Sequence, residues 1–270
     1  WTLHVGNKLS LGNKVYVRRA DEETVAVTSD SIREKAGKSL NDFRDKTALR
    51  AEKDKVTSVA LRPQDKPEID CRRETAGWQI VQPFRDLGSK EDIEKLIDDI
   101  RDVRIAAADF ITDDDSKLDQ YGLDKPALAV AVREGETGRA LLFGAAAEDK
   151  SKVYAKREGE STIFLLKADD MKKLDRAAKD LRSKKALSFT TDDVASLRIS
   201  FGGEEAALAK KDDAWKIEKP EAVDADKTQV ENWLRDIVDV RVIDWIDEAK
   251  PDLAKYGLDK PAASLTIELK

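Results

Sequence analysis

Cysteine, histidine and methionine each occur once in 270 residues. A lone cysteine, Cys71, excludes an internal disulfide and any Cys-rich metal site. A lone histidine, His4, excludes a His-based zinc site and leaves little for a catalytic triad. Long apolar runs are missing too. The longest are Ala127–Val132 and Ala140–Phe143, against the ~20 residues that a membrane-spanning helix needs. No secretory leader is visible, and the first residue is Trp1 rather than Met. The chain is therefore expected to be a soluble piece of a longer protein. A basic excess is absent: 49 Lys and Arg stand against 55 Asp and Glu, a net charge of −6. That balance disfavours nonspecific nucleic-acid binding, which needs a basic face. A glycine-rich phosphate loop is absent as well. "FGGEE" (Phe201–Glu205) reads as a hairpin turn and lacks the Lys-Ser/Thr of a P-loop.

What remains is 40% hydrophobic and 39% charged, enough apolar residue for cores under a heavily solvated surface. The chain also repeats itself. "YGLDKPA" stands at Tyr121–Ala127 and again, 135 positions later, at Tyr256–Ala262. Other segments answer one another in the same order. "KVYVRR" (Lys14–Arg19) matches "KVYAKR" (Lys152–Arg157), and "DFRDKTAL" (Asp42–Leu49) matches "DLRSKKAL" (Asp180–Leu187). "VTSVAL" (Val56–Leu61) matches "VASLRI" (Val194–Ile199), "GWQIVQP" (Gly77–Pro83) matches "AWKIEKP" (Ala214–Pro220), and "IRDVRI" (Ile100–Ile105) matches "IVDVRV" (Ile237–Val242). The offset drifts only between 135 and 138. The repeat of about 137 residues is far longer than a solenoid repeat, so each copy has the size of a domain. Trp1 falls opposite Arg139 and Lys270 opposite Gly135. The expected organisation is one complete unit over 56–192. Residues 1–55 and 193–270 would be half-units of the flanking copies, able to close together as a second unit.

Within a unit, Val194–Ile199, Ala206–Lys210 and Ala214–Glu218 are short alternating runs, which predicts an antiparallel meander ended by Pro220. Asp224 or Asp226 then caps a helix with Val230, Trp233, Leu234, Ile237 and Val240 on one face. In the other copy Ser89 caps, with Asp92 three residues on, and Ile93, Leu96, Ile97, Ile100 and Val103 form the stripe. A strand-like stretch follows, Ile105–Ile111 or Val242–Ile246. The heptapeptide reads as a helix stop, a turn and a strand start. Gly122 and Gly257 supply the left-handed residue. Leu123 and Leu258 pack back, and Pro126 and Pro261 launch a strand. Around Gly135–Thr137, "LAVAVRE" and "GRALLFG" form a hairpin. Its two halves also occur apart, as "ASLTIEL" (Ala263–Leu269) and "TLHVG" (Thr2–Gly6). These are expected to pair with each other or with a neighbouring molecule. Lys14–Val27 and Lys152–Leu166 read as further hairpins, followed by helices near Ser29–Phe43 and Ala168–Leu181. The fold class is α+β: two tandem repeats of an antiparallel-sheet unit with a few packing helices.

The two copies serve as internal controls, because a residue present in both is structural before it is functional. His4 answers Leu142, so it takes a strand position that favours an apolar side chain. Cys71 has no His or Cys partner in sequence and is placed in a polar loop. "TDDDSKLD" (Thr112–Asp119) offers three carboxylates to a calcium ion, but lacks the central Gly and terminal Glu of an EF-hand. The other copy reads "DEAKPDL" (Asp247–Leu253), and acidic residues before a helix also complement its dipole. Trp78 and Trp215 answer each other inside strands, Trp233 replaces Leu96 and Trp245 replaces Phe110. All four read as core rather than as a sugar-stacking platform. No catalytic residue, cofactor or metal ligand is assigned.

Both copies resemble the bacterial family known as domain of unknown function 4340. The resemblance rests on "W-x-I-x-x-P" (Trp78–Pro83, Trp215–Pro220), the YGLDKPA turn, the Gly144-to-Tyr154 hairpin and "DLRSK" (Asp180–Lys184). It implies a protein tethered by an N-terminal membrane helix, on the extracytoplasmic (periplasmic) face of the cell membrane. It further implies a neighbourhood with an ABC-type transport system of the gliding-motility kind, whose permease or auxiliary subunit would be the partner. The family carries no assigned catalytic residues, so none is transferred. This chain departs from the family in lacking the anchor. The expectation is a non-enzymatic scaffold or binding module accessory to such transport. A polysaccharide- or peptide-binding module and a carboxylate-dependent hydrolase are the alternatives.

Overall fold

The computed structural model describes residues 1–75, 77–246 and 251–270. The described chain forms two compact units, Trp1–Leu181 and Arg182–Lys270. Most of its residues sit in three antiparallel sheets with five α-helices, so the fold is α+β.

The first unit begins with β1 (Leu3–Lys8), β2 (Lys14–Arg19) and β3 (Ala26–Ser29), a three-stranded sheet in that order, and the short helices α1 (Ser31–Ala36) and α2 (Leu40–Phe43). The next strands are β4 (Val56–Pro63), β5 (Ile69–Glu74), β6 (Gly77–Gln82) and β7 (Asp86–Leu87). Helix α3 (Lys90–Asp102) leads to β8 (Phe110–Thr112), β9 (Leu128–Glu134), β10 (Thr137–Ala146), β11 (Lys152–Arg157), β12 (Ile163–Lys167) and α4 (Ala168–Leu174). These nine strands form one sheet in the order β7-β6-β5-β4-β9-β10-β11-β12-β8. Helix α3 packs beside β6, and α4 covers β11 and β12. The α3 stripe Ile93, Leu96, Ile97 and Ile100 is fully buried against Trp78, Ile80, Val130, Phe143 and Phe164. Truncating one such isoleucine to alanine costs about 2–5 kcal/mol.

The second unit holds β13 (Val194–Phe201), β14 (Glu204–Lys211), β15 (Ala214–Lys219), β16 (Val223–Asp224), α5 (Lys227–Val238) and β17 (Ala263–Leu269). Its sheet runs β16-β15-β14-β13-β17. Its core is small: Val194, Leu197, Trp215 and Leu234 are buried, with Phe189, Leu208, Val230, Trp233 and Ile267 packed beside them.

The repeat is carried into the hydrogen-bond register. β4 meets β9 with Val56 opposite Glu134, then slips so that Ser58 faces Arg133. β13 meets β17 with Val194 opposite Leu269, then slips so that Ser196 faces Glu268. β10 on β11 slips between Phe143 and Ala146, and β1 on β2 slips between Val5 and Lys8. A bulge decides which face every later side chain takes, so its recurrence marks the same unit. The five-stranded sheet thus reproduces β7-β6-β5-β4-β9, and the three-stranded sheet reproduces β10-β11-β12.

Local signals explain most elements. Ser89 accepts a hydrogen bond from the Asp92 N–H at 3.3 Å and caps α3. Asp226, not Asp224, caps α5 by accepting from the Gln229 N–H at 3.1 Å. The Leu128–Gly144 hairpin forms with a shorter loop than expected, because Thr137 already faces Glu134. The long helix expected over Ser29–Phe43 is two. Gly37 ends α1, and the Ser39–Asp42 capping box starts α2 afresh. The helix expected over Ala168–Leu181 stops at Leu174 and resumes as one 3₁₀ turn, Ala178–Leu181, where the Asp180 carboxylate accepts from the Ala177 N–H. Of the strand-like stretches, only Phe110–Thr112 is a strand, paired on β12. Val242–Ile246 is not, because among the described residues the second unit contains no counterpart of β12 for it to pair with. Leu3–Lys8 is an outer strand of the three-stranded sheet and Ala263–Leu269 an outer strand of the five-stranded sheet.

Candidate functional site

The heptapeptide forms the same turn in both units. Gly122 and Gly257 take φ of +64° and +67°. The Leu123 N–H donates to the Leu118 carbonyl at 2.9 Å, and the Leu258 N–H to the Leu253 carbonyl at 2.8 Å. The N–H groups of Gly122 and Gly257 donate to Asp119 and Ala254. These bonds define a Schellman ending on the 3₁₀ turns Leu118–Tyr121 and Leu253–Tyr256. Pro126 and Pro261 lie just ahead of β9 and β17, and the pairs Asp124–Lys125 and Asp259–Lys260 are exposed.

In the first unit this turn closes over β10. A Cβ on Gly144 would fall 2.2 Å from the Tyr121 carbonyl oxygen and 3.0 Å from Leu123 Cγ. A Cβ on Gly122 would fall 2.8 Å from the Ala145 nitrogen. Leu123 is buried, and the Tyr121 ring meets Tyr154 edge-on at 4.9 Å. In the second unit Gly257 has no such neighbour, and Leu258 is 58% exposed. The shared motif is therefore a clasp between a turn and the neighbouring strand, closed in one copy.

The remaining candidates separate. Trp78 and Trp215 are buried, as their strand positions predict. Trp233 packs at the edge of the small core. Trp245 is only half-buried, with the Arg182 guanidinium 4.5 Å over its ring, because the strand expected around it does not form. His4 is exposed on β1, opposite Arg18. Cys71 lies not in a polar loop but in the centre of β5, between Val59 and Ile80. Burial pushes its thiol up to about 12, with Asp70 adding to the shift. The repeat carries the signal for this placement, since Cys71 answers the apolar Leu208. The three carboxylates Asp113, Asp114 and Asp115 turn to different partners. Asp113 pairs with Arg44 and Thr162, Asp114 accepts from the Ser116 N–H at 2.9 Å, and Asp115 holds Lys156 at 2.7 Å. Asp113 is held below the usual carboxylate range by Arg44 first and Thr162 second. The Asp247–Leu253 counterpart lies largely outside the described residues. Among the described residues no three metal-ligating side chains converge. The buried charges are partnered: Asp70 by Arg72 and Ser58, Asp109 by Lys152, and Lys156 by Asp115.

A cleft that the sequence reading missed lies over β4, β5, β9 and β10. It has a volume of about 590 Å³ and is lined by Arg62, Arg72, Arg73, Arg133 and Arg139. Asp70, Glu74 and Glu158 are the only carboxylates on its wall, so the cleft is locally basic in an acidic chain. Arg62 is held by Glu68, Arg72 by Asp70 and Arg139 by Glu134, at 2.9, 2.6 and 3.0 Å. Arg73 lies 5.0 Å over the Trp78 ring. The Arg133 guanidinium has no hydrogen bond or ion pair among the described residues and extends past Gly138. The second copy carries Ser200, Ala209, Lys210 and Glu268 where the first has Arg62, Arg72, Arg73 and Arg133. The fold therefore does not require these arginines. Their chemistry suits carboxylate or phosphate groups.

A family model described as "Domain of unknown function (DUF4340)" matches residues 1–107 and 78–261. No curated protein and no solved structure matches the chain.

Proposed function

Because the chain belongs to the DUF4340 family, we propose that it is a non-enzymatic scaffold module, an accessory to an ABC-type transport system on the extracytoplasmic face of the cell membrane. The observation that carries this reading is the pattern of what the copies share. Across the repeat the equivalent residues are the clasp, the buried Trp78 and Trp215, and the strand registers. Those are parts of a building unit. The polar cluster that stands out is not shared: the arginines of the cleft belong to one copy. Outer strands with free edges add surfaces suited to assembly.

A second reading, a binding module for an acidic envelope polysaccharide or peptide, is favoured by the arginine cleft. Its free Arg133 stands ready for an anionic group.

The experiment is to tag the protein in its native membrane, crosslink it and identify what co-purifies. Reproducible recovery of an ABC permease or its ATPase supports the scaffold reading. Recovery of glycan or peptide without transporter, lost on Arg133→Ser, supports the second.

A further inference from the structure

We propose that the arginine cleft of the first unit binds an extended acidic peptide, one carboxylate of which is held between Arg72 and Arg133 and a second, farther along the peptide, by Arg62. The inference deepens the second reading above and rests on it.

Strand register brings these arginines together. Ser58 of β4 faces Arg72 of β5 on one side and Arg133 of β9 on the other. Gly138 of β10 lies beyond Arg133 and adds no side chain to crowd it. The result is one transverse row, Arg72-Ser58-Arg133-Gly138. Neighbouring strands lie about 4.8 Å apart, so the two arginine backbones flank Ser58 at a separation of roughly 10 Å. Side chains alternate between faces, so the next row on this face is Asp70-Ala60-Ala131-Ala140. Its alanines form a low floor, which is why a cleft of about 590 Å³ opens over a paired sheet. Arg62 stands one row farther on, opposite Ala129. From Ser58 to Arg62 the extended chain spans about 13 Å.

The free donors select an anion. The Arg133 guanidinium has no partner among the described residues, so all of its N–H groups are available. Arg72 donates from Nε and Nη2 to one Asp70 oxygen at 2.9 and 2.6 Å, and Ser58 donates to the other at 3.2 Å. Asp70 is buried, so it acts as a positioning residue that fixes Arg72 and leaves its other N–H groups for a ligand. Glu74 is engaged by Arg85 at 2.9 Å. That leaves Glu158 alone among the wall carboxylates without an ion pair, against five arginines.

The second unit is a built-in comparison. Ser196 matches Ser58 and keeps the row, with Ala209 on one side and Glu268 on the other. Its hydroxyl donates to the Glu268 carboxylate at 2.6 Å. The same backbone row thus carries an acid where the first unit carries a free cation. The sheet forms with either, so Arg72 and Arg133 serve something other than folding.

The shape selects a peptide. The described wall of the cleft holds no aromatic ring, so a sugar has no face to stack on. β4 is already bonded on both sides, by β5 and β9, so recognition runs through side chains rather than by strand addition. In an extended peptide residues i, i+2 and i+4 share one face, and i to i+4 spans about 13 Å. That matches the distance from the Arg72–Arg133 row to Arg62 and sets residue i+2 on the alanine floor. The recognised pattern is therefore Glu-x-small-x-Glu, with carboxylates that suit the planar guanidinium fork.

The test uses the whole chain and a fluorescent peptide, Glu-Ser-Ala-Ser-Glu, blocked at both ends and followed by polarisation. The proposal expects saturable binding that weakens as salt rises. Arg133→Glu, which copies the second unit, should weaken it about tenfold or more, and Arg72→Ala and Arg62→Ala should do likewise. Melting curves of Arg133→Glu should be unchanged, since that side chain is exposed and unbonded. The Gln-Ser-Ala-Ser-Gln peptide should not bind. Lys179→Glu, the same charge change at an exposed position outside the cleft, should leave binding unchanged. Equal weakening by Arg133→Glu and Lys179→Glu overturns the site. An oligogalacturonate that binds more tightly than the peptide, and is lost in Arg133→Glu, overturns the peptide assignment while the second reading stands. Binding of neither probe overturns both.

Discussion

Adding one methyl group to Gly122 should destabilise the protein more than adding the same group to Gly257. Both glycines hold positive φ, +64° and +67°. Placing alanine there costs roughly 1–2 kcal/mol, offset by about 0.4–1 kcal/mol because alanine stiffens the unfolded chain. Gly257→Ala stops there, since nothing lies within 4 Å of the new Cβ. The expected loss is about 1 kcal/mol. Gly122→Ala meets the Ala145 nitrogen at 2.8 Å and the Ala145 Cβ at 3.1 Å. Neither atom belongs to a flexible side-chain end, so β10 or the turn must shift, and such overpacking adds about 1–3 kcal/mol. The expected loss is then about 2–4 kcal/mol, confined to the first unit. The readout has to resolve the two units separately, since a single midpoint would average over them. The assay is urea unfolding read by peptide-resolved hydrogen exchange. Equal losses for the two variants would refute the reasoning, because they would show that the turn needs glycine for its dihedral and not for its contact with β10.

Three further outcomes follow from the same geometry. Leu123→Asp should cost several kcal/mol by placing a carboxylate at a buried position, while Leu258→Asp should leave thermal unfolding unchanged. Cys71 should resist thiol reagents at pH 8 in the native state and react only as the first unit opens. Its thiol is pushed up to about 12, so the stability it contributes is full below the unfolded value and is lost at higher pH. Acid should loosen the junction at Glu134, whose carboxylate is lowered by the Glu52 N–H first and by Arg139 after it. That stability is present above the ordinary carboxylate value and disappears as pH falls through the lowered one. Glu134→Gln should flatten this pH dependence in a melting series from pH 7 to pH 3.

The repeat made most of the fold legible before any coordinates. The meander Val194–Lys219, the caps at Ser89 and Asp226, and the Schellman turns at Gly122 and Gly257 all form where short-range chemistry places them. These elements depend on neighbours within a few residues. What escaped depends on distant partners. Val242–Ile246 has the composition of its copy but no strand to bond, so it stays irregular. The helix near Ser29–Phe43 breaks because a capping box competes with its continuation. The arginine cleft escaped for a different reason. Its five arginines come from four strands, 62 to 139 in sequence, and only the sheet order brings them together. Cys71 was readable from Leu208 in the other copy, a comparison that fixes burial where composition alone suggested a loop.

The account's central claim is that one building unit recurs in the chain, with its clasp closed in the first unit and open in the second. Hydrogen exchange at the backbone amides of Leu123 and Leu258, each bonded to the carbonyl five residues back, tests it most directly. The account predicts strong protection at Leu123, whose side chain is buried, and weak protection at Leu258, which is 58% exposed. Equal protection at the two leucines would contradict it.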